Sequence, residues 1–249
     1  MMILLILILL CPAGAWAAFP VVESTATSLN DGNSATNVTS HVVTMPAGVA
    51  AGNLILVLFV ADTTPTITWP ANWNQIVFVQ PTGFTGEARY KISDGTEGAS
   101  ITVTTSVAEQ SAHITYRISG HNSGTAPTGT ITTAAATSVN PNPPAHNPAT
   151  WDSEDTLWLA GFFSDNGSAA DAITAAPTNY ASELMEQSGQ ATTAGVGVGS
   201  AQRDLAAASD DPDPFTISAS RAWRAFTIAV RPAGAAAPSS VRRAPVIFQ

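Results

Sequence analysis

Two apolar segments constrain the fold of this chain more than any other feature. Residues 54–61 form a run of eight apolar side chains without a charge, and residues 155–165 contain a second run of the same character. Such a run is too short to cross a membrane as a helix and lacks a polar face, so it predicts a strand that is buried on both sides. The two runs end at Asp62 and Asp165, whose carboxylates we expect to accept backbone N–H bonds at the turn.

The spacing around the two runs indicates an internal duplication. Pro-Ala-Asn-Trp at residues 70–73 follows the first run, and Pro-Thr-Asn-Tyr at residues 177–180 follows the second, 107 residues later. We therefore predict two related halves, residues 37–120 and 137–233. A strand that is buried on both faces needs cover on both, which two facing central strands would supply for each other.

The remaining pattern indicates an all-β protein. No window of more than a few residues has a helical period, and turn residues recur at short intervals, so we expect about 11 to 13 strands. The predicted fold class is a jelly-roll-like two-sheet β-sandwich built from the two pseudo-repeated halves, and it occupies residues 18–233. A jelly roll is favoured because it leaves few open strand edges.

The first 17 residues are typical of a secretory signal peptide. An apolar stretch at residues 3–10 precedes Ala15-Trp16-Ala17, which fits the small-residue cleavage pattern. No lysine or arginine precedes the stretch, so a misassigned start codon is one alternative, and lipidation of Cys11 is another. We expect a secreted, extracellular protein, with location in a virion as the alternative.

The C-terminal residues 234–249 are predicted to be a linker and a tail. The tail contains Val246, Ile247 and Phe248. A disordered tail is the default interpretation, as chain ends usually are, and the alternative is that these three residues dock on a neighbouring molecule as an added strand. Docking would imply a protein partner or self-assembly.

Composition excludes several classes of function. Cys11 is the only cysteine, so the mature chain would have no disulfide and no thiolate chemistry. Lys91 is the only lysine and the net charge is −9, which argues against binding to the nucleic-acid backbone. No later run approaches the roughly 20 apolar residues of a membrane-spanning helix.

Four short motifs carry a resemblance to known proteins. They are Gly52-Asn53-Leu54, Pro70-Ala71-Asn72-Trp73, Tyr90-Lys91 and Tyr116-Arg117. Their order resembles that of jelly-roll-like β-sandwich proteins of phage and prophage structural genes and of secreted bacterial surface proteins. Asn72 stands where those proteins usually have glycine. The resemblance spans about residues 40–232 and implies a tail-associated, virion or adhesive module without enzymatic activity.

Residues that could bind metal ions are sparse. The histidines are scattered, without the spacing of a zinc site, at positions His41, His113, His121 and His146. Calcium is the more reasonable ion, because Asp210, Asp211 and Asp213 cluster and calcium takes oxygen ligands from loops. The simpler interpretation is an exposed polar turn, and no cofactor is otherwise expected.

No catalytic constellation is recognisable. The serines near glycines do not form the nucleophile elbow of a hydrolase, and the carboxylates show no pairing typical of glycosidases. We expect no enzymatic activity, and a hydrolase with an unrecognised site remains the alternative.

Aromatic residues provide the best functional signal. Sugar rings stack on exposed aromatic faces, and Trp69, Phe84 and Trp151 lie beside predicted loops, so they are candidate ligand-binding residues. Trp73 and Trp158 are instead expected in the core. The expected function is therefore structural and adhesive, with a carbohydrate-binding module as the alternative.

Overall fold

A computed structural model describes residues 18–30, 37–134, 136–167, 170–189 and 195–234. The predicted signal peptide and the tail residues Val246, Ile247 and Phe248 lie outside these ranges. Within them the chain forms sixteen strands and no helix, so no helix of this part of the chain could span a membrane. In chain order the strands are β1 Val21–Asn30, β2 Val38–Thr44, β3 Leu54–Asp62, β4 Ile67–Thr68, β5 Asn74–Val79, β6 Phe84–Ile92, β7 Ser100–Glu109, β8 Ser111–Ser119, β9 Thr128–Ile131, β10 Ala136–Ser138, β11 Glu154–Asp165, β12 Ile173–Ala175, β13 Ala181–Gln187, β14 Val196–Ala207, β15 Thr216–Ile217 and β16 Arg221–Val230.

The strands form four antiparallel sheets. One has five strands in the order β1-β8-β3-β6-β5, and one has six, in the order β10-β16-β11-β14-β13 with β9 also paired to β16. The two smaller sheets are β2-β7-β4 and β12-β15. The all-β prediction is confirmed.

The two apolar runs are the central strands of the two large sheets. Every residue of β3 is buried, and so is the apolar stretch of β11, which confirms the prediction of strands covered on both faces. Their inner faces share one apolar cluster, which includes Leu56, Leu58, Leu159 and Phe163. Their outer faces pack under the small sheets, β3 with Val43 and Val103 and β11 with Phe215 and Ile217. The four sheets thus enclose three apolar clusters.

The number of sheets differs from that of the expected two-sheet jelly roll, and the jelly-roll topology is not confirmed. Sheets number four in the described residues, because β7 and β15 pair with short strands outside the large sheets. The strands also exceed the expected number, since pieces of two to four residues such as β4, β9 and β12 are too short to leave a periodic pattern.

The order of the strands repeats between the halves. The path β8-β3-β6-β5 in the first large sheet corresponds to β16-β11-β14-β13 in the second, and β7 pairs with β4 as β15 pairs with β12. Equivalent positions in the two halves can therefore be compared through their central strands. A side chain that is present in one half only is not required by the architecture that both halves share.

Glycines make room for the large rings of the central cluster. A Cβ on Gly86 of β6 would lie 2.4 Å from a ring carbon of Phe163, and one on Gly161 of β11 would lie 2.4 Å from Phe226. Protein interiors have no free space for such an overlap. Gly86 therefore accommodates a ring from the facing sheet, whereas Gly161 accommodates the ring of its cross-strand partner within one sheet.

Side chains of β1 close the outer edge of β2. The amide of Asn30 bonds both the N–H and the carbonyl of Val42, Ser28 accepts the N–H of Thr44, and Ser24 donates to the Ala47 carbonyl. An edge whose backbone groups are already bonded cannot easily accept a strand from another chain.

Candidate functional site

Trp69 lies in a polar and aromatic surface beside β5 and β6. Its Nε1 donates to Oε2 of Glu87 at 2.8 Å, and Nε of Arg89 donates to the same oxygen at 2.5 Å. The guanidinium carbon of Arg89 lies 5.6 Å from the centre of the indole ring. Glu87 is only 3% exposed, so a buried carboxylate holds the side chains of Trp69 and Arg89 in place.

Strand register adds two exposed side chains to this surface. In the antiparallel pair β5–β6, Gln75 lies opposite Arg89 and Phe78 lies opposite Glu87. Residues opposite each other in neighbouring strands project on the same face. Phe78 is 42% exposed and is the one aromatic residue among the exposed large apolar side chains of the described ranges. We call this set, Trp69, Gln75, Phe78, Glu87 and Arg89, the Trp69 platform.

The second half has no counterpart of the platform. When the central strands are aligned at their terminal aspartates, Gly199 and Ala201 occupy the places of the glutamate and the arginine. Ala176 occupies the place of the tryptophan in the repeated turn. Because the same architecture forms without these side chains, the platform is not a requirement of the fold.

The other two predicted stacking residues do not offer an open ring. Phe84 is 0% exposed, because it begins β6 with its side chain in the central cluster, so its ring does not present a face to solvent. Trp151 is 8% exposed, and Arg231, ion-paired with Glu154, lies 5.6 Å from its ring centre. Trp151 is therefore also a buried residue. The core positions expected for Trp73 and Trp158 are confirmed.

An open groove of about 510 Å³ lies at the Asn72–Asn74 end of β5 and β6. It is lined by Asn72, Asn74, Tyr90, Lys91, Ile92, Asp94, Ser123, Gly124, Thr125 and Ala126. Sequence reasoning missed this groove, since it joins one turn of the first half to the segment that connects the halves, and no local pattern brings these together.

The three aspartates proposed as calcium ligands do not form a site. Asp210 is buried, ion-paired with Arg203 at 3.2 Å and bonded by the Tyr180 hydroxyl, whereas Asp211 and Asp213 are exposed. In the described ranges no group of three or more His, Cys, Asp or Glu side chains is arranged to hold a metal ion. The carboxylate of Asp210 is occupied by its contacts with Arg203 and Tyr180, so it does not join the two exposed aspartates as a calcium ligand.

A buried chain of hydrogen bonds connects two histidines through a serine. The Oγ of Ser111 lies 2.7 Å from Nδ1 of His41 and 2.8 Å from Nε2 of His113. The chain continues from His41 to Thr105 and from His113 to Ser28, each at 2.9 Å. We call these five residues the His41–His113 relay. A serine beside histidine also occurs in hydrolases, but here Ser111 and both imidazoles are fully buried, and a substrate has no access to them.

The relay is satisfied in one proton arrangement. The Thr105 hydroxyl donates to the Val107 carbonyl, so it accepts from Nε2 of His41. A neutral His41 then accepts the Ser111 proton at Nδ1, and Ser111 accepts from Nε2 of His113. Burial lowers the pKa of His41 to about 4 and lowers the pKa of His113 well below its usual value. Both imidazoles are thus neutral at neutral pH, as this arrangement requires.

Asp62 lies where the ends of the two central strands meet. Burial raises the pKa of its carboxyl to about 6, against a hydrogen bond from the Thr63 backbone that lowers it. The negative charges of Glu109 and Asp165 raise the pKa further. The two terminal aspartates are therefore close enough to repel each other, which follows from the facing of the central strands.

We expect Asp62→Asn to stabilise the protein at pH 8. The pKa is raised in the folded state from 3.8 to about 6, so the folded state favours the protonated carboxyl. The associated stability is present below pH 3.8 and lost as the pH rises through about 6, where ionised Asp62 costs about 3 kcal/mol. Urea unfolding at pH 8 and pH 4 should show the gain at pH 8 and its disappearance at pH 4. An equal gain at both pH values would contradict the assignment.

The comparisons with known proteins identify no family. No family model, no curated protein and no solved structure matches this chain.

Proposed function

We propose that this protein is a non-enzymatic, adhesive β protein, secreted or carried on a virion, that works by contact through its surface. The Trp69 platform is the observation that supports this proposal. It combines an exposed phenylalanine, a half-buried tryptophan, an arginine and an amide, and aromatic and arginine side chains dominate the binding energy of protein interfaces.

The platform is held in place before any partner arrives. Glu87 is buried and bonds both Trp69 and Arg89, while Gln75 and Phe78 lie on the paired strand β5. Side chains fixed in advance lose little conformational entropy on binding. Only the first half has these side chains at the equivalent positions, so the fold, which both halves share, does not explain their presence.

The finer expectations from the sequence belong to the same proposal. A pair of facing sheets with a small sheet over each outer face would be a rigid support for such a contact surface, in keeping with the resemblance to virion and bacterial surface β-sandwich proteins. Protein partners or self-assembly belong to the same proposal, because the exposed ring of Phe78 offers a partner an aromatic contact next to Arg89 and Trp69.

We expect Phe78→Ser to weaken association by roughly thirtyfold, as loss of an interface anchor worth about 2 kcal/mol does. Sedimentation velocity and electron microscopy of the purified protein would measure assembly into filaments, rings or smaller oligomers. Val107→Ser is the matched control, since Val107 is 52% exposed on β7, away from the platform. Equal association of both variants and the unaltered protein would contradict the role of the platform, and a wholly monomeric unaltered protein would contradict self-assembly.

Carbohydrate binding is the second candidate. It is favoured by the half-buried Trp69, in the segment before β5, and by the open polar groove at one end of β5 and β6, a combination of aromatic and amide groups that suits sugars. A glycan array tests it. Loss of the bound glycan in Trp69→Ala, with circular dichroism unchanged, would support the platform as its site, and an array without any bound glycan would exclude this candidate.

A further inference from the structure

We propose that the groove between the Asn72–Asn74 turn and residues 123–126 binds an uncharged oligosaccharide. This inference rests on the second candidate function above and gives it a site and a ligand class. The groove has a volume of about 510 Å³, within the roughly 300 to 1,000 Å³ of ligand pockets in general.

The groove gathers polar side chains that are not bonded to other groups in the described part of the chain. The amide of Asn72 and the hydroxyls of Tyr90, Ser123 and Thr125 line it, and none of them makes a hydrogen bond within the described ranges. Groups that donate and accept, like amides and hydroxyls, match the hydroxyls of a sugar.

The floor of the groove is partly apolar. Tyr90 and Ile92 of β6 are partly buried and pack against the central cluster while they also line the groove. A sugar ring has an apolar C–H face and a polar rim, so it can lie on the tyrosine and reach the amide and hydroxyls with its edge. The strand fixes the tyrosine backbone, and the core fixes one side of its ring.

The charges of the groove exclude an anionic ligand. Among the described residues that line the groove, Lys91 is the one cation, and its ammonium is bonded to Asp94 at 3.0 Å and to Glu97 at 2.9 Å. Two carboxylates for one ammonium leave an excess negative charge. Sulfated or phosphorylated sugars would be repelled, whereas neutral ones would not.

The turn provides a variant that removes the amide without strain. Asn72 has φ of 69°, in the left-handed region that glycine adopts freely, so Asn72→Gly keeps the backbone and deletes the side chain. Asn179 has φ of 65° at the equivalent turn of the second half and lines no part of the groove, which makes Asn179→Gly the matched control. Tyr90→Phe removes the hydroxyl and retains the ring.

The test uses the full chain and isothermal titration with neutral oligosaccharides of glucose, xylose and N-acetylglucosamine, with a sulfated oligosaccharide as the anionic probe. We expect saturable binding of at least one neutral probe, weakened about three- to tenfold by Asn72→Gly and by Tyr90→Phe and unchanged by Asn179→Gly.

Two results would overturn the proposal directly. One is tighter binding of the sulfated probe than of the neutral probes, and the other is an affinity for neutral probes that neither groove variant changes. Binding lost in Trp69→Ala but retained in both groove variants would overturn it too, while the second candidate function would stand. Absence of any sugar binding would remove both, and the adhesive proposal would still be decided by sedimentation of the Phe78 variant.

Discussion

Ser111→Ala is expected to destabilise the protein by about 2 to 6 kcal/mol, because it leaves two buried polar groups unsatisfied. The lost hydroxyl donates to Nδ1 of His41 and accepts from Nε2 of His113, and both atoms lie where water cannot replace it. Each unsatisfied group costs about 1 to 3 kcal/mol. Since natural domains have only about 5 to 15 kcal/mol of stability, this change approaches the limit of what the fold tolerates.

Chemical denaturation at pH 7 would measure this loss. Ser40→Ala is the control, because Ser40 lies on β2 next to His41 in sequence but is exposed, so its replacement should change stability by less than about 0.5 kcal/mol. Equal effects of the two substitutions would show that the relay does not contribute to stability. The loss should also persist at pH 8, where both imidazoles are neutral in the folded and unfolded states.

Phe163→Ala is expected to destabilise the protein by about 3 to 5 kcal/mol through the cavity that it leaves. The ring is fully buried between the two large sheets, 5.0 Å from the ring of Phe226 and directly over Gly86 of the first half. Because the central cluster draws on both halves, the loss should lower the stability of the whole chain in one cooperative transition.

Fluorescence and circular dichroism during urea unfolding would test this. Phe78→Ala is the control, because Phe78 is exposed and its replacement should lower the free energy of unfolding by less than about 1 kcal/mol. Coincident transitions by both probes would support one cooperative unit. Two separated transitions, only one of them shifted by the substitution, would show that the halves fold independently despite the shared cluster.

Much of the framework is predictable from the chain itself. An uncharged run such as residues 54–61 has few structural solutions, and its recurrence in residues 155–165 predicts that the two runs cover each other. The structure confirms both strands and their burial. The division into four sheets is not predictable in the same way, because strands of two or three residues such as β4 and β15 exist only through pairing with distant partners.

The candidate site was less accessible to sequence reasoning. Phe84 and Trp151 lie beside loops, and adjacency to a loop does not determine which way a ring points. Trp69 was recognised, but its partners depend on the β5–β6 register, in which a bulge between Gln75 and Val77 shifts the alternation of faces. Such a shift decides whether Phe78 is exposed or buried.

The central cluster also has a consequence for how the protein reaches its native state. Neither half can cover the inner face of its own central strand, so productive collapse waits until nearly the entire polypeptide is available. Topologies dominated by distant pairings fold slowly, on the order of milliseconds to seconds. Until the second half is available, the apolar inner face of β3 would be exposed, and partly folded chains that expose apolar surface are prone to aggregate.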